Sequence, residues 1–141
     1  MEPRISVVTL GVQDVGRARA FYERLGWVAA ASSNEHVAFF DLGGVVLSLF
    51  GRTALADDAG VSAGGAGFSG VALAHNVRDR AAVDRTLAEA KAAGATIVKP
   101  AVETFWGGYA GYFSDPDGHL WEIAHNPFWT LDEHGRVKLP A

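Results

Sequence analysis

The stretch Gly111-Tyr112-Phe113-Ser114-Asp115-Pro116-Asp117-Gly118-His119-Leu120-Trp121-Glu122 decides how this chain folds. At its centre is a turn with a physical mechanism. Pro116 presets φ, aspartate bonds its own backbone, and Gly118 takes positive φ. The apolar runs on either side, Trp106 to Ser114 and Leu120 to His125, read as a strand and its return strand. Upstream, Thr96 to Ala101 reads as another strand, with Pro100 limiting it to a sheet edge or a strand end. Before that, Val83, Leu87, Ala90 and Ala93 make a helical stripe. Asp79 is placed as its N-cap and Gly94 as its stop. Val71 to Val77 is strand-like, so the second half reads β-α-β-β-β.

The first half follows the same plan. Ile5 to Val12 is rich in β-branched residues and reads as a strand. Asp14 is an N-cap, Val15, Ala18, Tyr22 and Leu25 form a helical stripe, and Gly26 is the C′ residue. Trp27 to Ala30, His36 to Leu42 and Val45 to Phe50 read as strands, the last two joined at Gly43-Gly44. Phe39 to Gly44 answers Tyr112 to Gly118, and Asp14 and Gly26 answer Asp79 and Gly94. The predicted organisation is a first module over 1–51, a linker over 52–69 with one helical turn near Ala54 to Asp58, a second module over 70–127, and a tail over 128–141. Internal duplication of a module too small to cover both faces of its own sheet predicts an α+β fold. Two β-α-β-β-β modules pair to form a curved sheet that encloses a cleft, with helices on the convex side.

Composition narrows the function. The chain has 141 residues, 49% of them hydrophobic and 20% charged, which is enough apolar material for a real core. The net charge of −4, with scattered basic residues, argues against a nucleic-acid backbone binder. Cysteine is absent, which removes disulfides, cysteine-ligated zinc, iron–sulfur clusters and a cysteine nucleophile. No apolar run approaches the ~20 residues needed to span a bilayer. Met1-Glu2-Pro3-Arg4 leads straight into a strand, with no signal-peptide pattern, so no membrane partner and a cytoplasmic location are expected. No nucleophile elbow, phosphate loop, dinucleotide fingerprint or His-Glu-x-x-His motif is present.

Two segments carry a family resemblance: Leu10-Gly11-Val12-Gln13-Asp14 leading to Phe21-Tyr22-Glu23-Arg24-Leu25-Gly26-Trp27, and the Gly111 to Glu122 stretch. At this spacing, inside a duplicated module, they resemble the vicinal oxygen chelate superfamily over Ile5 to Pro127. That superfamily contains glyoxalases, bleomycin-resistance proteins, fosfomycin-resistance enzymes and extradiol dioxygenases. The resemblance implies a divalent metal in the cleft, held by His, Glu or Gln from the first and last strands of each module and acting as a Lewis acid. Carried over by position, the ligand places fall on Val7, Ser48, Ala72 and Glu122, and only Glu122 is a usual ligand type. A two-residue shift brings in Thr9 or Ala74, and a one-residue shift brings in His75. No cofactor is therefore expected, unless Glu122 and His75 converge on a divalent metal.

Glu122, in an apolar strand, is the candidate cleft carboxylate and the one candidate catalytic residue. His75 and Asn76 end a strand and can present donors. Trp106-Gly107-Gly108-Tyr109 reads as a cleft rim, where glycines allow close approach and Trp106 and Tyr109 offer flat faces with polar handles. Tyr112, Ser48, Thr9 and Phe50 complete the candidate ligand-binding set. Alternation puts His119, Trp121, Ile123 and His125 on the face opposite Glu122. Phe128 and Trp129 in the tail must pack on the cleft, the other module or a second subunit. The favoured reading is a metal-free protein that binds a small organic molecule between aromatic walls, with the net charge favouring cations. A metal-dependent lyase, isomerase or dioxygenase anchored on Glu122 is the alternative. A third is a metal-free enzyme with Glu122 as general base. A homodimer is expected from the resemblance.

Overall fold

A computed structural model describes residues 1, 3–69 and 71–141. Gly70, the expected first residue of the second module, and Glu2, in the expected N-terminal lead-in, lie outside the described residues. The chain divides into two compact units, Met1–Ser69 and Gly70–Ala141.

In the first unit, strand β1 (Val7–Val12) leads into helix α1 (Val15–Arg24), followed by β2 (Val37–Asp41), β3 (Val46–Gly51) and helix α2 (Arg52–Ala59). The strand order is β1-β3-β2, with β1 parallel and β2 antiparallel to β3. A parallel neighbour requires a crossover, and α1 lies within it. Period-two alternation sends Leu10, Val12, Ala38, Phe40, Leu47 and Leu49 inward, where they are buried with Val15, Ala18, Phe21 and Tyr22 of α1. The Asp14 carboxylate accepts from the Arg17 N–H at 2.8 Å, and Gly26 takes φ 91° just past the helix.

The expected strand Trp27 to Ala30 does not form. Trp27 instead turns back on the helix, stacking on Tyr22 and meeting Phe40 edge-on. Ala30 gives one N–H to the Phe39 carbonyl, while the Ser33 hydroxyl accepts the Phe39 N–H at 2.9 Å. A side chain thus satisfies a donor that a further strand would have paired. The expected linker is also more ordered than its composition implies. Its single helical turn is the eight-residue α2, closed by Gly60 at φ 70°.

The second unit comprises β4 (Ala72–Asn76), helix α3 (Arg80–Ala93), β5 (Thr96–Glu103), β6 (Tyr109–Ser114) and β7 (Leu120–His125), then the short strands β8 (Thr130–Leu131) and β9 (Val137–Lys138). The main sheet runs β4-β7-β6-β5, with β4 parallel to β7. Asp79 caps α3 through the Ala82 N–H at 2.7 Å, and Gly94 ends it at φ 115°. Val83, Leu87, Ala90 and Ala93 are buried on its inner side. β5 is an edge strand, and its register shifts twice around Pro100, so the missing proline donor is tolerated. Gly111 is required where helix and bulge close in. A Cβ there would lie 2.7 Å from Leu87 Cδ1 and 2.9 Å from the Ala101 nitrogen.

The Asp115–Gly118 turn forms as expected. Asp115 is buried, and its Oδ1 accepts from the Asp117 and His119 N–H groups, both at 2.9 Å. Trp121 and Ile123 are buried on the helix side of β7. Among the described residues, no helix is long and apolar enough to cross a membrane.

Candidate functional site

The second unit's sheet has one face against α3 and one turned away from it. The outer face is built from two rows across the strands. In the first row, Ala74 on β4 lies opposite Glu122 on β7, which lies opposite Tyr112 on β6. In the second, Asn76, Ala124 and Ala110 stand side by side. Ala74 is exposed, whereas Ala124 and Ala110 are buried, so the floor is short side chains with polar groups at its margins.

Directly opposed residues on antiparallel strands have adjacent side chains. Here the Tyr112 hydroxyl donates to Glu122 Oε2. This bond raises the phenol from its ordinary 10.0 to about 12, with desolvation and the carboxylate charge adding to the effect. Tyr112 is therefore a fixed donor at neutral pH, and one carboxylate oxygen of Glu122 is already engaged.

A cavity of about 480 Å³ opens above this floor, lined by Ala74, Asn76, Trp106, Glu122, Ala124, Asn126, Phe128 and Trp129. Its walls are aromatic, and two glycines seat them. A Cβ on Gly108 would fall 1.8 Å from the Trp106 ring, and one on Gly107 would fall 3.1 Å from Phe128 Cε2. Thr104 ties down the loop, its hydroxyl accepting the Gly108 N–H at 2.9 Å. Asn126 Oδ1 accepts the Phe128 N–H at 2.9 Å and directs the chain into the tail. The β8–β9 hairpin is held by Arg78, which donates to the Leu131 carbonyl at 3.3 Å and the Asp132 carbonyl at 2.6 Å.

Glu122, Trp106 and Asn76 meet at this cavity, and Tyr112 meets them through Glu122. Tyr109 does not join them. On the α3 side of the sheet, it donates to Asp84 at 2.8 Å beneath the Arg80 guanidinium, whose central carbon sits 5.4 Å from the ring centre. His75 pairs in register with Ile123 and shares its side of the sheet, away from Glu122. Desolvation lowers its imidazole pKa from 6.5. Glu122 and His75 therefore do not converge.

Thr9, Ser48 and Phe50 belong to the first unit. Thr9 lies beside Ser48, and Phe39 flanks Ser48 on its other side. The register thus places Thr9 and Ala74, rather than Val7 and Ala72, next to Ser48 and Glu122. Phe50 lines a separate cavity of about 450 Å³ with Gln13, Asp14 and His36. Sequence reasoning reached Ala74 only through a two-residue shift of register, and missed Ala124 and Asn126 as lining residues. Alternation from Glu122 through Ala124 to Asn126 was the available signal.

The donor set of the second unit does not fit a divalent ion. Alanine offers no donor, the Tyr112 proton is committed to Glu122, and Asn76 is a weak ligand. Zn²⁺ and its neighbours take three or four strong donors. Among the described residues, no group of three or more His, Cys, Asp or Glu side chains comes together.

The model of the Glyoxalase/Bleomycin resistance protein/Dioxygenase superfamily matches residues 4–123. This chain belongs to that superfamily. A glyoxalase-related enzyme from Fulvimarina pelagi is 36% identical, with a TM-score of 0.88 and 99% of both chains covered. A member from Burkholderia phytofirmans PsJN is 25% identical at TM-score 0.76, covering 86% of this chain and 98% of that one. Lactoylglutathione lyase from Agrobacterium tumefaciens shares the fold at TM-score 0.68 and 23% identity, covering 92% of this chain and 98% of that one. No curated protein matches the chain. Superfamily membership accounts for the module plan, and this chain's own residues determine what the site can hold.

Proposed function

We propose that this glyoxalase-superfamily protein binds a small organic molecule on the outer face of its second unit, without a metal at Glu122. One observation carries the reading. Glu122 sits in an aromatic-walled cavity with its carboxylate bonded to Tyr112, and its ladder neighbour is Ala74. A cavity of this volume suits a drug-sized or smaller ligand.

The second reading is a metal-dependent lyase, isomerase or dioxygenase anchored on Glu122. Its support is the 36% identity to a glyoxalase-related enzyme. Elemental analysis of untagged protein, before and after exposure to Zn²⁺, Ni²⁺, Mn²⁺ and Fe²⁺, separates the two. The binding reading expects no stoichiometric metal. One tightly held equivalent, lost in Glu122→Ala, establishes the second reading instead.

A further inference from the structure

We infer that the cavity of the second unit selects a planar organic cation, whose ammonium N–H donates to Glu122 while its ring lies over Ala74. This rests on the binding reading above and adds the charge and shape of the ligand.

The lining is asymmetric in charge. It contains one carboxylate, two side-chain amides and no Lys, Arg or His. The Tyr112 hydroxyl donates a hydrogen bond to Glu122 but brings no positive charge, so the pair remains a net acceptor. A phenol held to about 12 stays protonated across the neutral range and keeps this polarity fixed. An anionic ligand therefore meets a like charge, a neutral hydroxyl makes an ordinary bond to the carboxylate, and an ammonium makes a charge-assisted one. Indole and phenyl faces at Trp106, Trp129 and Phe128 also attract a cation placed over them.

Shape follows from the floor. The exposed Ala74, with no side chain beyond its Cβ, leaves room for a flat body, and the walls can stack on it. The Asn76 side-chain amide makes no hydrogen bond to another described residue, so it is open to a second polar group. Asn76 stands one strand across and two residues along from Glu122. With strand spacing and rise per residue, that places the two anchors roughly 8 Å apart at the backbone. The arrangement suits a fused ring with an amine at one end.

Calorimetry of the full chain with three probes of matched ring, naphthylmethylammonium, naphthylmethanol and naphthylacetate, tests the inference. The ammonium should bind about tenfold tighter than the alcohol. Naphthylacetate should bind more weakly than either. Glu122→Gln keeps the shape and should cut the preference of the ammonium over the alcohol severalfold, leaving only the share that the aromatic faces supply. Trp106→Ala should weaken all three. Equal or tighter binding of naphthylacetate, or a preference undiminished in Glu122→Gln, overturns the inference while the cavity remains a binding site. No binding of any probe to folded wild-type protein overturns both the inference and the binding reading.

Discussion

Tyr112 and Glu122 face each other across two strands, and their bond has a direct titration signature. The phenol is raised to about 12 from 10.0. A raised pKa means that the folded chain holds this proton more tightly than the unfolded one. Its stabilising contribution is complete below pH 10.0 and is lost as pH rises through about 12. Glu122→Gln should move one tyrosinate absorbance transition down towards 10.0, and Tyr112→Phe should delete it. His75 behaves in the opposite sense. Its pKa is lowered from 6.5, so its contribution is present above 6.5 and is lost as pH falls through the folded value. His75→Gln should therefore flatten the acid side of a stability-versus-pH curve measured by denaturant unfolding. Glu122 was legible in the sequence because a carboxylate in an apolar strand needs a partner. Tyr112 was legible as a candidate, but its role was not. Only the register of β6 against β7 shows that the two are opposed.

Elements carry the aromatic walls. Phe128 and Trp129 enter from the tail, and Arg78 fastens the hairpin beyond them. Arg78→Ala should raise amide exchange over 130–138 while leaving the Tyr112 titration in place. Truncation after Pro127 should abolish binding of the naphthyl probes, again with that titration retained. The helices rest on their caps. Asp79→Ala should cost about 1 kcal/mol in denaturant unfolding, since it frees the Ala82 N–H at the start of α3. These caps, the glycine stops and the Asp-Pro-Asp-Gly turn were readable because each is local chemistry. The segment after α1 was not. Trp27 to Ala30 has strand-like composition, but the Ser33 hydroxyl takes the Phe39 N–H and Trp27 is drawn onto Tyr22. Side-chain competition for a backbone donor depends on how the chain returns, which periodicity does not encode.

At the scale of the whole molecule, two units share a plan and differ in what they present. Ser48 holds the position in the first unit that Glu122 holds in the second, and Phe39 corresponds to Tyr112. The duplication was visible from aligned turns and caps, and it explains why the fold could be read from so few residues. The ligand places could be assigned only to within two residues, because sequence alignment of the halves does not fix strand register. The correspondence can be tested. Ser48→Glu puts a carboxylate at a buried position without the phenol that Glu122 has, and should destabilise the chain by about 3 kcal/mol. Adding Phe39→Tyr restores the opposed hydroxyl, and a double-mutant cycle should show favourable coupling of about 1 kcal/mol. One consequence of the paired glycines at 107 and 108 concerns the reshaping of this chain. Trp106 and Phe128 rest on the space of two missing methyl groups. The setting of both rings therefore depends on backbone positions that carry no side chain of their own. A breeder who wished to widen or narrow this rim would begin with those two backbone positions, since one methyl group at either would push a ring aside.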